Sequence, residues 1–459
     1  MAADDARPDP LNRPRPTVQD LLEQDPKEQP WQLREAPFAD LGLGGVDVAS
    51  YLSESFAKRE ESGVWGHVWQ MACREEQIPD VGDHIVYDIG PWSLIVVRSA
   101  EGEIRAHYNA CLHRGRQLRD CGGKVGAFRC PFHGFTWGLD GALKHVPTPW
   151  DFPHINPEDF RLPEARVGLW GGFVFVCLDP DAPPLQEYLE DIPAIFQRWP
   201  MEDRFIAAHV SKPLNCNWKL ALEAFVESFH VSDTHPQAAS YIGDFHTQYD
   251  VWEGKRHYSR MISPRGLASP SLGGVLSDDD VLQASEPEAG PLSVPPGATP
   301  RSVMADRRRA QLTPVLGEAV DQVTDSEAID TIQYLVFPNL VLWFGHNAPI
   351  CYRFRPLGDD PNWCVQEVLL LVSVPVGRPR PKAAKLNALT ADQPWTDAKE
   401  LGGLGAVFDQ DAANLWAIQK GLRSLKAGKT TLGRYQENRL RHFHRTLADY
   451  VGPDDPGSD

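Results

Sequence analysis

The chain has 459 residues, 42% hydrophobic and 24% charged, an ordinary balance for a water-exposed protein with more than one core. Its formal net charge of −18 argues against nucleic acid or an anionic membrane surface as a partner of the whole molecule. No apolar run is long enough for a transmembrane helix, and the polar, Pro-rich residues 1–24 lack the apolar stretch of a secretory signal, so a cytoplasmic location is expected.

Residues 1–62 are expected to begin disordered and then turn helical. Asp47-Val-Ala-Ser-Tyr-Leu and Ser53-Glu-Ser-Phe read as a short amphipathic helix leading into the first domain. Over 63–180, β-branched or aromatic runs at 93–97, 104–108 and 169–177 are separated by turn signals such as Pro79-Asp-Val-Gly, Glu101-Gly and Asp140-Gly. That pattern predicts a small all-β domain. Residues 181–459 read as α+β. Strands are predicted at 206–212, 331–337, 340–344, 350–355 and 365–374, and helices at 218–230, 404–422 and 432–447. Residues 264–318, with Ser277-Asp-Asp-Asp and Pro295-Pro-Gly, read as one long mobile loop. Long antiparallel strands with two long helices suit a curved sheet wrapped on a helix.

Of eight cysteines, only two sit beside histidines at short, ordered spacing. These are Cys111-Leu-His113-Arg-Gly and, after sixteen intervening residues, Cys130-Pro-Phe-His133-Gly. Two thiolates and two imidazoles suit zinc or an iron–sulfur cluster. Cys73, Cys121, Cys177, Cys216, Cys351 and Cys364 read as small core residues or bystanders.

The second constellation starts at Asn215-Cys-Asn-Trp-Lys. Helical periodicity places Glu223, Glu227 and His230 on one face of an otherwise apolar helix, which is costly unless they are paired or bind a metal. His235 follows a break that Pro236 supports. Two histidines with one carboxylate leave open positions on a non-haem iron. Phe408-Asp409-Gln410-Asp411 offers two candidates for that carboxylate, Asp409 and Asp411. His246 and His257 are candidates to line a pocket; the other histidines read as surface or satisfied core residues.

From about Trp65 to Leu422 the sequence resembles the large (alpha) subunit of Rieske non-haem iron aromatic-ring-hydroxylating oxygenases. The resemblance implies an N-terminal all-β Rieske domain followed by a helix-grip catalytic domain. It implies one [2Fe-2S] cluster, with Cys111 and Cys130 on one iron and His113 and His133 on the other. Arg114-Gly115, Pro131 and Gly134 match the family pattern; Phe132 and Phe135 replace its usual Tyr and Trp. It also implies one mononuclear Fe(II) held by His230, His235 and an aspartate eight residues before Gln419-Lys-Gly-Leu, which selects Asp411 over Asp409. Glu227, where many relatives have Asp, is implied to bridge to the cluster histidine of a neighbouring subunit, matched to His133. Glu223 is read equally as a base near the iron or as a structural hydrogen-bonder.

The implied activity is that of a terminal oxygenase that takes O2 and electrons from NADH through a separate reductase, with or without a ferredoxin. A homotrimer is expected, a small subunit is an option, and the expected substrate is small, apolar and aromatic. Ring dihydroxylation is the first expectation. Monohydroxylation or oxidative N- or O-dealkylation is the second, and an electron carrier without oxygen chemistry is the alternative from a different class.

Overall fold

The computed structural model describes residue 11 and residues 13–453. The expected disordered start therefore falls, for residues 1–10 and 12, outside the described residues. The predicted helix at 47–56 is two helices, Ala49–Leu52 and Glu54–Glu60. Ser53 separates them and caps the second by accepting from the Phe56 amide.

Ten strands build the first part: β1 Gln70–Arg74, β2 Asp83–Ile89, β3 Trp92–Ala100, β4 Glu103–Tyr108, β5 Gly123–Lys124, β6 Phe128–Arg129, β7 Thr136–Trp137, β8 Leu143–His145, β9 Glu164–Trp170 and β10 Phe173–Cys177. Seven form one sheet in the order β1-β10-β9-β4-β3-β2-β5, and β6-β7-β8 form a second. The run predicted as one strand at 169–177 straddles the hairpin of β9 and β10. The chain reverses at Gly171-Gly172, whose φ values of 59° and 75° suit the two-residue turn. The small sheet carries its own core, in which Phe128, Phe135, Trp137 and Leu162 pack around the two cysteines Cys111 and Cys130.

The second part is an eight-stranded sheet: β11 Arg204–Leu214, β12 Gln248–Asp250, β13 Tyr258–Ser263, β14 Thr331–Val336, β15 Leu340–Phe344, β16 Ile350–Pro356, β17 Cys364–Ser373 and β18 Leu386–Ala388. Its order is β12-β13-β14-β15-β16-β17-β11-β18, antiparallel except where β18 joins β11. The helix Trp218–Glu223 lies against β16 and β17. From the helix Leu404–Leu422, Phe408 packs its ring on Phe225 and Tyr352, at centroid distances of 5.8 and 5.9 Å. One continuous apolar cluster joins this sheet to the first. Arg353 stitches the two parts together. It pairs with Glu367 on the neighbouring strand and donates to the carbonyls of Met71 and Ala72 on β1.

Two expectations need correction. Residues 264–318 contain the helices Asp278–Ser285 and Pro300–Leu316 rather than one long loop. The Ser, Thr, Asp and Pro residues that read as loop are helix-start chemistry. Ser277 with Asp280, and Thr299 with Ser302, form capping boxes, and Pro300 occupies the first turn. The helix predicted at 218–230 stops at Glu223, and a second short helix spans Val231–Thr234. Between them, side chains take over the backbone groups a helix would have paired. Tyr249 accepts from the Ser228 amide, Glu227 from the Phe229 amide, Gln333 donates to the Phe225 carbonyl and Arg439 to the Val226 carbonyl. The predicted helix at 432–447 runs Asn438–Val451.

Candidate functional site

The Cys-His loops share one local design. In each, the amide four residues after the cysteine donates back to the cysteine carbonyl: Gly115 to Cys111 at 2.8 Å and Gly134 to Cys130 at 3.0 Å. Both glycines have positive φ, 75° and 81°, which explains a glycine at the same offset in two motifs of different His spacing. The loops bring the rings of His113 and His133 to 4.8 Å.

His113 stacks on Phe135 at 4.7 Å, and its Nδ1 is buried with no partner. Burial and then His133 lower its pKa, which favours the neutral imidazole that a metal would need. Burial, with Cys130 adding to it, raises the Cys111 thiol above its ordinary range. A metal that displaces the thiol proton would relieve that cost.

The four donors fit a cluster better than a single ion. A zinc knuckle gathers all four around one point. Among the described residues, the only set of three or more donors lying within 4.8 Å of one another is elsewhere, at His230, His235 and Asp411. Cys111 neighbours Cys130 and His113 neighbours His133, a pairing of like donors that suits two irons. His133 is the exposed member, covered by Phe132, which is itself 58% exposed. Cys121 is exposed, and the other five cysteines are buried and unbridged.

At the second centre, Asp411 Oδ1 lies 3.0 Å from His235 Nε2 and 3.6 Å from His230 Nε2. Asp411 and His235 are buried. The break after Glu223 lets both histidines meet the carboxylate carried by the helix Leu404–Leu422. Asp409 does other work, since it accepts from the amides of Trp395 and Thr396 at 2.7 and 3.2 Å.

The far nitrogen of each imidazole is also held. His230 Nδ1 lies 2.5 Å from Glu227 Oε1, and His235 Nδ1 lies 2.8 Å from Gln410 Oε1. Each Nδ1 then keeps its proton and each Nε2 offers a lone pair toward Asp411. Burial opposes charge on His230, but Glu227 outweighs it and raises the pKa. Glu227 is thus engaged inside its own chain, its other oxygen taking the amides of Phe229 and His230. Glu223 is bound by Tyr51 Oη at 2.9 Å and His444 Nε2 at 2.7 Å.

Gln410, Arg439, Gln333 and His444 carried no sequence signal for these roles. Gln410 had only its place beside Asp411 to mark it. His246 binds the Pro16 carbonyl and His257 stacks on Tyr188, and neither lines the cavities at Asp411.

Two cavities meet at these residues. One, of about 610 Å³, is walled by side chains such as Phe225, Met261, Ile350, Tyr352 and Phe408. The other, of about 660 Å³, reaches Glu223, Glu227, Asn414, Ile418 and Glu437. Ala224, Glu227, His230 and Asp411 border both.

Residues 195–453 match the family model described as the ring hydroxylating alpha subunit (catalytic domain), and residues 68–156 match the Rieske [2Fe-2S] domain. The chain belongs to the Rieske ring-hydroxylating oxygenase alpha-subunit family. Its relatives include the biphenyl 2,3-dioxygenase alpha subunit of Rhodococcus jostii, 34% identical over 43% of this chain and 45% of that protein. The glycine betaine monooxygenase oxygenase subunit of Pseudomonas aeruginosa is 29% identical over 50% of each. The matches thus span about half the length of these curated relatives. In fold, the chain resembles naphthalene 1,2-dioxygenase from Rhodococcus sp., with TM-score 0.60, 22% identity, and 89% of this chain and 94% of that one covered. It also resembles a quaternary ammonium Rieske monooxygenase solved with gamma-butyrobetaine, with TM-score 0.63, 16% identity, and 90% and 97% covered. No helix among the described residues is long and apolar enough to cross a membrane.

Proposed function

We propose that the chain is a terminal oxygenase component that uses O2 and externally supplied electrons to hydroxylate a substrate held in the cavity walled by Phe225 and Phe408. The single observation that carries this reading is the convergence of His230, His235 and Asp411 at the border of that cavity. A pure electron carrier has no use for such a set. When bound, the [2Fe-2S] cluster supplies single electrons and the ferrous ion supplies dioxygen activation.

The protein's own part is positioning. His230, His235 and Asp411 would hold the iron, with the Nδ1 protons fixed on Glu227 and Gln410. Phe225, Tyr352 and Phe408 exclude water and press an apolar body toward that end. Cys111 and Cys130 would hold one cluster iron, and His113 and His133 the other.

Electron entry through a second copy of the chain is the reading we favour, as part of a homotrimer. Exposed Phe132 beside His133 at one end, and exposed Trp416 and Ile418 on the helix that carries Asp411, support it. Glu227, on the border of the cavity that Ile418 lines, keeps one unused lone pair on Oε1 to accept from the partner's His133. Glu223 acts there as an anchor for Tyr51 and His444 rather than as a base. The electrons are taken to come from NADH through a separate reductase, with or without a ferredoxin. Eight unbridged cysteines suit a reducing cytoplasm.

Ring dihydroxylation is the primary reading. Monooxygenation, including N- or O-dealkylation, is the second, favoured by Glu rather than Asp at position 227. The test is anaerobic reduction of the iron-loaded enzyme, then ¹⁸O-labelled dioxygen with a panel of aromatic and N-alkyl compounds, and product masses. Two labelled oxygens in the product support dioxygenation and one supports monooxygenation. Reoxidation without a product across the panel contradicts the oxygenase reading.

A further inference from the structure

The cavity beside the iron-binding residues is not wholly apolar. Arg265 lines it, two residues beyond the end of β13. Among the described residues, no carboxylate pairs with its guanidinium, no side-chain hydrogen bond is made by it, and its Nε is buried without a partner. The one nearby acid is committed elsewhere. Asp330 takes both terminal nitrogens of Arg301, at 2.7 and 3.0 Å, and only the backbone amide of Arg265. Arg308 adds a further cation to the neighbourhood. Burial lowers the Arg265 pKa, and Tyr241 and Asp330 only partly offset it. Trp343 lines the same cavity, and its indole Nε1–H is buried and also unpaired.

A guanidinium without an ion-pair partner and with its Nε buried and unpaired, and a buried unpaired indole N–H, are each costly in a folded protein. At opposite Cβ positions across the strand pair β14–β15, Gln333 faces Trp343, and Gln333 is already used by the Phe225 carbonyl and Arg439. Arg265 borders a space walled by apolar side chains such as Phe225, Ile350 and Phe408, together with the hydroxyls of Tyr241, Ser263 and Thr331. A ligand that fills it with an apolar body and an anionic end would pair with the guanidinium, and a planar carboxylate matches its fork.

We propose that the substrate carries a carboxylate, recognised by the guanidinium of Arg265, while its apolar portion faces His230, His235 and Asp411. This deepens the oxygenase reading and rests on it for the location of the reacting end. Arg265 is a specificity-determining residue here and takes no part in oxygen chemistry. A site built to bind a polar group also rejects analogues that lack it, so neutral hydrocarbons of the same shape are expected to bind poorly.

The test is equilibrium binding by calorimetry to the iron-loaded enzyme, without reductant. Matched pairs are compared: benzoate with benzamide, 3-phenylpropanoate with its amide, and 2-naphthoate with 2-naphthamide. The expected result is that at least one acid binds about tenfold or more tightly than its amide. Arg265→Gln should abolish the preference and Arg265→Lys should retain part of it. Absence of acid binding across the panel, equal affinity within every pair, or a preference that survives in a folded Arg265→Gln protein overturns the proposal. Because no turnover is measured, the wild-type comparison decides the matter even if a variant does not fold. An enzyme that hydroxylates neutral hydrocarbons but prefers no acid defeats this inference alone and leaves the oxygenase reading standing.

Discussion

Gln410 accepts from His235 Nδ1 at 2.8 Å, and the same oxygen also accepts from Gln237 Nε2 at 2.8 Å. One residue further along the helix, Asp411 faces Nε2 of the same imidazole. A single helical step therefore places both the acceptor for His235 Nδ1 and the carboxylate that faces its Nε2. Gln410→Leu should weaken iron retention at this centre about 10- to 100-fold, as loss of a partner to a metal-bound histidine usually does. Chelator competition followed by iron assay checks it, with Gln410→Glu as the variant expected to keep the metal.

Asp409 and Asp411 are two residues apart and are expected to behave differently. Asp409→Ala removes the acceptor for the Trp395 and Thr396 amides. The expected outcome is a loss of about 1–2 kcal/mol in stability with iron content unchanged. Denaturant melts with metal analysis of the folded protein decide it; loss of iron in this variant would move the third ligand to Asp409.

Lys219, in the Asn-Trp-Lys stretch, pairs with Glu60 at 2.8 Å where both side chains are buried. Burial raises the Glu60 pKa and lowers that of Lys219, and each is partly restored by the other's charge. Lys219→Met leaves Glu60 buried and unpaired, which costs about 3–5 kcal/mol in comparable pairs. The double variant Lys219→Met with Glu60→Leu should recover most of that loss in the same chemical melts.

His346 gives the fold an acid-sensitive point away from the metals. It is buried against Trp199 with its Nε2 unpaired, and burial, then Arg204, Arg308 and Arg198, push its pKa down to about 3. The unfolded state binds the proton more readily than the folded one, so stability is full above the ordinary value of about 6.5 and falls as pH drops toward 3. Near pH 4.5 this one group accounts for about 3 kcal/mol lost relative to neutral pH. His346→Gln should flatten the acid side of the stability profile by roughly that amount; an unchanged profile would show that His346 stays charged or exposed.

Much of this architecture was legible because its signals are short and local. Cys111, His113, Cys130 and His133 announce themselves by spacing. Most strands of the large sheet are plain apolar runs, and the helix Leu404–Leu422 was placed to the residue. What stayed hidden depends on partners far away in sequence. The helix ending at Glu223 could not be read from periodicity, because its missing bonds are supplied by Tyr249, Gln333 and Arg439. The helices inside 264–318 were hidden by capping residues that also favour loops. Arg265 could not be seen as unpaired until Asp330 was found occupied by Arg301.

The central claim is that two separate iron-binding sets coexist in one chain, and counting iron and labile sulfide in wild type and Asp411→Ala tests it most directly. The account predicts about three irons and about two sulfides per wild-type chain, and about two irons with about two sulfides in the variant, its visible cluster spectrum intact. A wild-type protein without sulfide, or a variant that keeps all its iron or loses sulfide along with it, would contradict the claim.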